Sequence, residues 1–379
     1  MELCLNMIVK DEESCIEQCI KSVAPFISYY VIVDTGSKDN TIQKIKEVTE
    51  ELGIPGEIHE RPWVDFAHNR TEALRLALGK CDYRFMMDAD DLFIPDEGVN
   101  PFEGIDKTKS SHGILLKFGG LEYTRNFLFK SDDDWVFKGV LHEYPHIDDE
   151  DANSRRGFVI PKCYIKADIS PLKRANSLIE KYANDAKILE KAFKKEPDNT
   201  RYAFYLAQSY RDSQQKEKAI KAYRKRASMK GWDEEVYMSL LQVAILLEET
   251  KRPIKEVIEA YSLAWEYRPH RLEAVYYLMR LLRLSNRYVL SFTYGNMAAQ
   301  NYRDVDVLFV SAPIKNWMFL DEYCMAAYYV GQPQLAYENA KNFIESDKFK
   351  EVPEEEQARL LKNFSYYESK VNETKEKNS

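Results

Sequence analysis

Three aspartates stand in a run of four, Asp88-Ala89-Asp90-Asp91, directly after the apolar segment Tyr83 to Met87. Carboxylate oxygens are hard ligands, and carboxylates at a strand end can hold a divalent cation that in turn holds a diphosphate. Alternate residues of a strand point to one side, so Asp88 and Asp90 can act together. Such a motif alone is a weak signal, because Asp132-Asp133-Asp134 and Asp148 to Asp151 are just as acidic; the strand immediately before it sets this one apart. A second candidate is Val31-Ile32-Val33-Asp34-Thr35-Gly36-Ser37. A carboxylate there can accept from a base N–H or a ribose hydroxyl, or it can cap the next helix from a turn. A third is Gly139-Val140-Leu141-His142-Glu143-Tyr144, where His142 could complete a metal shell and Glu143 act as a general base, although a lone His is more often structural. The fourth is Asp65-Phe66-Ala67-His68-Asn69-Arg70. Arg70, early in a helix, can meet a phosphate or carboxylate, or pair on the surface with Glu72 or Asp65.

The elements that must position these residues follow from hydropathy patterning. Leu3 to Val9 and Tyr29 to Val33 are apolar strand-like runs, separated by a segment of helical spacing over Glu12 to Val23. Asp34 to Ser37 is a turn signal, with Asn40 or Thr41 available to cap the next helix. A short strand at Glu57 to Glu60, a helix over Asp65 to Leu78 and a strand at Tyr83 to Met87 complete an alternating order. That order implies a mostly parallel sheet with helices on both faces. Ligands of such sheets bind outside the carboxyl ends of the strands, which is where Asp34 and Asp88 would lie. Beyond residue 110 strands follow one another without intervening helices: Gly113 to Phe118, Leu121 to Phe129, Trp135 to Phe137 and Phe158 to Ile165.

From about Ile179 the chain reads as helix throughout, with a repeat of about 34 residues. Counted from Thr200, the set Leu206, Ala207, Tyr210, Ala219 and Tyr223 supplies the large and small residues that let two antiparallel helices interlock. Leu189, Ala192 and Pro197 match the end of the preceding unit, and Tyr261, Ala264 and Pro269 the end of a later one. Gly331, Ala336 and Ala340 repeat the turn and small-residue pattern. These are TPR-like repeats, degenerate and with insertions such as Glu248 to Pro253. Most of the 25 tyrosines fall here at helical spacing, as expected for helix packing. The expected domains are 1–175 and 176–371, with a polar, frayed tail at 372–379.

Composition narrows the function. With 379 residues the chain suits two or three domains. Its 54 basic and 62 acidic residues leave a net charge of −8, which argues against nucleic-acid binding as its main business. The six scattered cysteines form no zinc-type pairs and read as reduced, buried thiols. Glu2 and Lys10 bracket the first apolar run, so the start reads as a strand and not a targeting segment. No stretch suits a membrane span. The expected location is the cytoplasm.

Taken in order, the segments LCLNMIVKDEE, VIVDTGSKDNT, HNRTEAL and MMDADD resemble family-two glycosyltransferases of the GT-A fold. FGGLEY, GVLHEY, RYAFYLAQSYRD, GWDEEVY and LDEYCMAAYYVG resemble a subgroup of these fused to TPR repeats, so the resemblance runs along nearly the whole chain. It implies an α/β GT-A, Rossmann-like domain that binds a nucleotide sugar, followed by an all-α TPR-like domain. It further implies that Asp34 binds the nucleobase, usually uracil, that Ile8, Val9 and Lys10 line the base pocket, and that Asp88 lies by the ribose and diphosphate. Asn69, Arg70, Ala89 and Lys173 join the nucleotide-sugar-binding residues. Asp90 and His142 would hold Mn²⁺ or Mg²⁺, and Glu143 would activate the acceptor. One departure stands out: where related chains carry GARS before the first repeat helix, this one has Arg174-Ala175-Asn176-Ser177.

The resemblance implies an inverting, in-line displacement at the anomeric carbon, from a nucleotide-sugar donor, expected to be a UDP-sugar, to a hydroxyl of a glycan or protein. The repeats could bind a protein partner, form a homodimer or brace the catalytic domain. A competing reading is a TPR scaffold whose glycosyltransferase-like domain is inactive. A nucleotidyltransferase would be expected to carry a glycine-rich phosphate loop, and Asn6 to Glu13 contains no glycine.

Overall fold

The computed structural model describes residues 1–118, 121–167 and 178–378. It divides into two compact units, Met1–Lys195 and Glu196–Ser379. The first contains β1 (Leu3–Val9), α1 (Ile16–Val23), β2 (Tyr29–Asp34), α2 (Thr41–Glu51), β3 (Gly56–Glu60), α3 (Phe66–Leu76) and β4 (Tyr83–Met86). There follow β5 (Asp91–Pro95), β6 (Ser111–Phe118), β7 (Leu121–Lys130), β8 (Val136–Lys138), β9 (Tyr144–His146), the short α4 (Glu150–Ser154), β10 (Arg156–Ala167) and α5 (Leu178–Lys195).

Eight strands form one sheet in the order β3-β2-β1-β4-β7-β6-β10-β5, and β8 pairs with β9. The first four are parallel, as the alternating helices require, because a parallel crossover needs a helix-length connection. The other half is mixed, as strands without intervening helices imply. β7 is antiparallel to β4 and β6, β10 is parallel to β6, and β5 is antiparallel to β10. The reason is visible in the chain: after residue 110 strand follows strand without a helix. β5 was not anticipated; it begins at Asp91, so the acidic motif is the connection between two strands.

Apolar runs make β1, β2 and β4 buried on both faces, around Leu5, Met7, Ile32 and Phe85. Two polar side chains are pinned inside this layer. Asn6 Nδ2 donates to the carbonyls of Val31 (3.1 Å) and Ala73 (2.9 Å), tying β1 to β2 and α3. Arg84, fully buried, donates to the carbonyls of Leu74, Lys130 and Asp133. Asn40 occupies the expected position before α2 but makes no capping bond, since its amide donates to Glu13 (2.9 Å). Asp39 accepts from the Thr41 N–H at 3.0 Å in its place.

The second unit is helical: α6 (Thr200–Asp212), α7 (Lys216–Ala227), α8 (Asp233–Glu249), α9 (Ile254–Tyr267), α10 (Glu273–Leu284), α11 (Tyr288–Asn301), α12 (Phe319–Tyr329), α13 (Pro333–Ile344) and α14 (Glu354–Asn378). α6 packs on α7, α8 on α9, α10 on α11 and α12 on α13, each pair joined by a short turn. Leu206, Ala207, Tyr210, Ala219 and Tyr223 are all buried, as interlocking helix pairs demand. Gly331 takes the left-handed conformation (φ +80°) in the turn after α12, where a side chain would be strained. α14 runs on to Asn378, through the segment expected to fray.

Candidate active site

Asp34 closes β2 opposite Val9 of β1. It is 1% exposed, and its two oxygens differ. Oδ1 accepts from the N–H groups of Gly36 (2.8 Å) and Ser37 (3.0 Å), which holds the following turn. Oδ2 is buried without a partner. The turn-stabilising and ligand-binding readings of this residue are therefore compatible, one oxygen for each. A buried carboxylate oxygen left unpaired is costly unless something supplies a donor. Val9 O accepts from both the amide (2.9 Å) and the hydroxyl (3.1 Å) of Thr35, so the tips of β1 and β2 are laced together. Ile8 is half-buried, Val9 buried and Lys10 exposed at that tip.

Asp88 leaves the end of β4, separated from β2 only by β1. At the usual strand spacing that puts the Asp34 and Asp88 backbones roughly 10 Å apart on one sheet edge. Arg70, from the second turn of α3, reaches Asp88 Oδ1 through Nη2 at 2.5 Å and Glu143 Oε1 through Nε at 2.8 Å. Its side chain is only 6% exposed. Three residues from three separate segments thus meet at one guanidinium. Burial alone would push the Asp88 carboxyl up, but the charges of Arg70 and Arg125 outweigh it and bring Asp88 down to about 2. Asp91 has the opposite fate. Burial, then the charge of Asp88, push its carboxyl up to about 7 against the pull of Arg125, and its Oδ2 has no partner.

Arg125, on β7, is the residue sequence reasoning missed. Its Nη2 stands 3.5 Å from Asp88 Oδ2, and its guanidinium lies over the Phe127 ring at 5.0 Å. The available signal was a cation in mid-strand with Tyr123 and Phe127 at alternate positions on its own face. Asp91, the last residue of the acidic motif, is the second residue without an expected role.

Of the remaining expected residues, Ala89 is buried in the core beside Phe93. Asn69 is fully buried and spent on the loop before α3: its Oδ1 accepts from Val64 N (3.0 Å) and its Nδ2 donates to Pro62 O (3.1 Å). Asp65 caps α3 by accepting from His68 N at 2.8 Å. Asp90 is half-buried between Ala89 and Asp91. His142 is exposed, with φ +54° in the turn that delivers Glu143. A left-handed non-glycine residue is held there by its surroundings at some cost. Lys173 and Arg174 to Ser177 lie outside the described residues. Among the described residues no three His, Cys, Asp or Glu side chains are grouped as a ready metal cage.

Residues 4–103 match the family described as Glycosyl transferase family 2. The chain carries a family-two glycosyltransferase domain. Asp34, Arg70 and Asp88 all belong to the matched segment of that glycosyltransferase domain, whereas Arg125, His142 and Glu143 lie beyond it. Over 147 residues the chain is also 27% identical to a TPR repeat-containing protein of Synechococcus elongatus; the match covers 38% of this chain and 35% of that protein, about a third of the relative's length. Among solved structures, similarity extends to YrrB, described as a TPR protein with an unusual peptide-binding site (14% identity, TM-score 0.38, 49% of this chain and 85% of that one). It extends also to BtubC from P. vanneervenii (12% identity, TM-score 0.40, 52% and 84%). The C-terminal half of this chain is an array of helix pairs in which the large and small residues of the pattern of about 34 residues are buried. No described helix is long and apolar enough to cross a membrane.

Proposed function

We propose that the glycosyltransferase domain transfers a sugar from a nucleotide-sugar donor, a UDP-sugar in the first instance, to a hydroxyl on a glycan or protein, with inversion and with a divalent cation. The observation that carries this reading is the Arg70 bridge, which joins the acidic motif to Glu143 on the sheet edge that also bears the unpaired oxygen of Asp34. Asp34 Oδ2 is suited to accept a base N–H. Glu143, 14% exposed, is oriented by the Arg70 Nε–H and would take the proton of the attacking hydroxyl.

Mn²⁺ or Mg²⁺ fits the donor set. Such a cation needs only one or two carboxylates when it arrives with a diphosphate. Asp90 would hold it, with His142. When bound, the cation supplies charge neutralisation to the departing diphosphate.

The test is a donor-hydrolysis screen of UDP-, GDP- and TDP-sugars with Mn²⁺, alongside Asp90→Ala. Slow hydrolysis of one donor is expected from the native chain and none from Asp90→Ala, whose unfolding transition should be unchanged. Normal turnover by purified Asp90→Ala would remove the metal from this account. Calorimetry with the same donors separates an enzyme from a TPR scaffold carrying an inactive domain, since the scaffold would bind none of them.

A further inference from the structure

We propose that Arg125 is the residue that grips the donor's diphosphate, releasing Asp88 for it when the nucleotide sugar enters; the inference rests on the donor-binding reading above. Two arginines touch Asp88, and they are unlike. Arg70 is buried and committed, with a contact of 2.5 Å to Asp88 and one of 2.8 Å to Glu143. Its Nε and Nη2 are taken by Glu143 and Asp88, and its unpaired Nη1 is buried. Arg125 makes one long contact, 3.5 Å, and a third of its side chain is exposed. Its guanidinium is stacked on Phe127, which sets the plane of the fork while leaving its N–H groups to rotate toward a new acceptor.

The charges explain why such a residue is needed. A diphosphate must enter beside Asp88 and Asp90, both of its own sign. A cation on the acidic motif offsets part of that repulsion, and Arg125 offers the remainder from β7, the strand beside β4. A guanidinium binds phosphate oxygens in pairs, and a phosphate carries more charge per oxygen than the carboxylate Arg125 would leave. Asp88 keeps Arg70 as its partner after the exchange, so no buried carboxylate is stranded.

The experiment is calorimetry of the full chain with UDP and with uridine, both with Mn²⁺, for the native protein, R125Q and R125K. R125Q should weaken UDP roughly tenfold or more, the scale of one charged hydrogen bond, and leave uridine unchanged. R125K should fall between, since an ammonium keeps the charge and loses the fork. A structural role would weaken UDP and uridine alike. Equal UDP affinity in R125Q and the native chain overturns the proposal. If the native chain binds none of UDP, GDP and TDP, the donor reading fails and this inference with it. Should near-UV circular dichroism show R125Q to be unfolded, R125K carries the test.

Discussion

Each unit of the protein buries an arginine among carboxylates, and the two clusters are finished to different degrees. In the helical unit Arg271 is 3% exposed and pairs in bidentate fashion with Glu273, at 3.0 and 2.8 Å. It also donates to the carbonyl of Leu308 (2.9 Å) and stacks on Tyr237 (4.6 Å). The acids around it are occupied too: Glu234 accepts from Val307 N (2.9 Å) and Leu308 N (2.6 Å), and Glu273 from Ser311 N (2.9 Å). This cluster fastens the connection between α11 and α12 to the helices, and none of its side-chain atoms is buried unpaired. Around Arg70 the accounting does not close. Arg70 Nη1 and Asp91 Oδ2 are buried and unpaired, as is Asp34 Oδ2 on the same sheet edge. A saturated polar cluster stabilises a fold, and the atoms left over around Arg70 are those that the proposed donor and cation would partner.

The sharpest way to break that distinction is to neutralise one acid in each cluster. Glu143→Gln should lower kcat by about 100- to 10,000-fold, the usual scale for a general base, with donor affinity retained in calorimetry. Glu273→Gln should do the reverse, costing roughly 3–5 kcal/mol in urea unfolding while each folded molecule turns over normally. Unimpaired kcat in Glu143→Gln would hand the role of base to another carboxylate. A loss of turnover per folded molecule in Glu273→Gln would mean that the helical cluster is not purely structural.

Removing the two arginines sharpens the comparison at smaller scale. Arg70→Ala and Arg271→Ala both strand carboxylates and should both destabilise. Their response to Mn²⁺ should differ. Without Arg70 the acidic motif has lost its main counter-charge, so Mn²⁺ should restore up to about 2–3 kcal/mol at saturating concentration, more than it adds to the native chain. Arg271→Ala should gain no more from Mn²⁺ than the native chain does. Equal gains in the two variants, read from urea midpoints, would show that the open valences around Asp88 are not a cation site.

How legible these two clusters were in the sequence follows from the range of the contacts involved. The parallel strands and helices of the first half, and the helix pairs of the second, are local patterns of spacing, and Leu206, Ala207 and Tyr210 lie where periodicity puts them. Asp34 and Asp88 could be found because each sits at the tip of a strand that reads plainly. The meeting of Arg70 with Glu143 spans 73 residues and depends on how the β7 to β9 segment returns to the sheet, which no local pattern encodes. Arg125 escaped notice for the same reason, since its partner Asp88 is contributed by another strand's end. Asn69 gives the converse lesson: a polar residue beside a motif can be wholly absorbed in bracing its own loop.

The smallest expected effect concerns Asp34, where both kinds of bonding occur in one carboxylate. Asp34→Asn keeps an oxygen for the N–H groups of Gly36 and Ser37, so the turn after β2 should survive and the unfolding midpoint should move little. The other position becomes an NH₂ group, which donates where Oδ2 would accept. Affinity for UDP should then fall about tenfold, the value of one hydrogen bond to a charged group, with the loss seen equally for uridine. That equality separates this variant from R125Q, which should spare uridine. A large drop in stability with unchanged uridine affinity would assign Asp34 to the turn alone, and its buried, unpaired oxygen would then need some explanation other than a base.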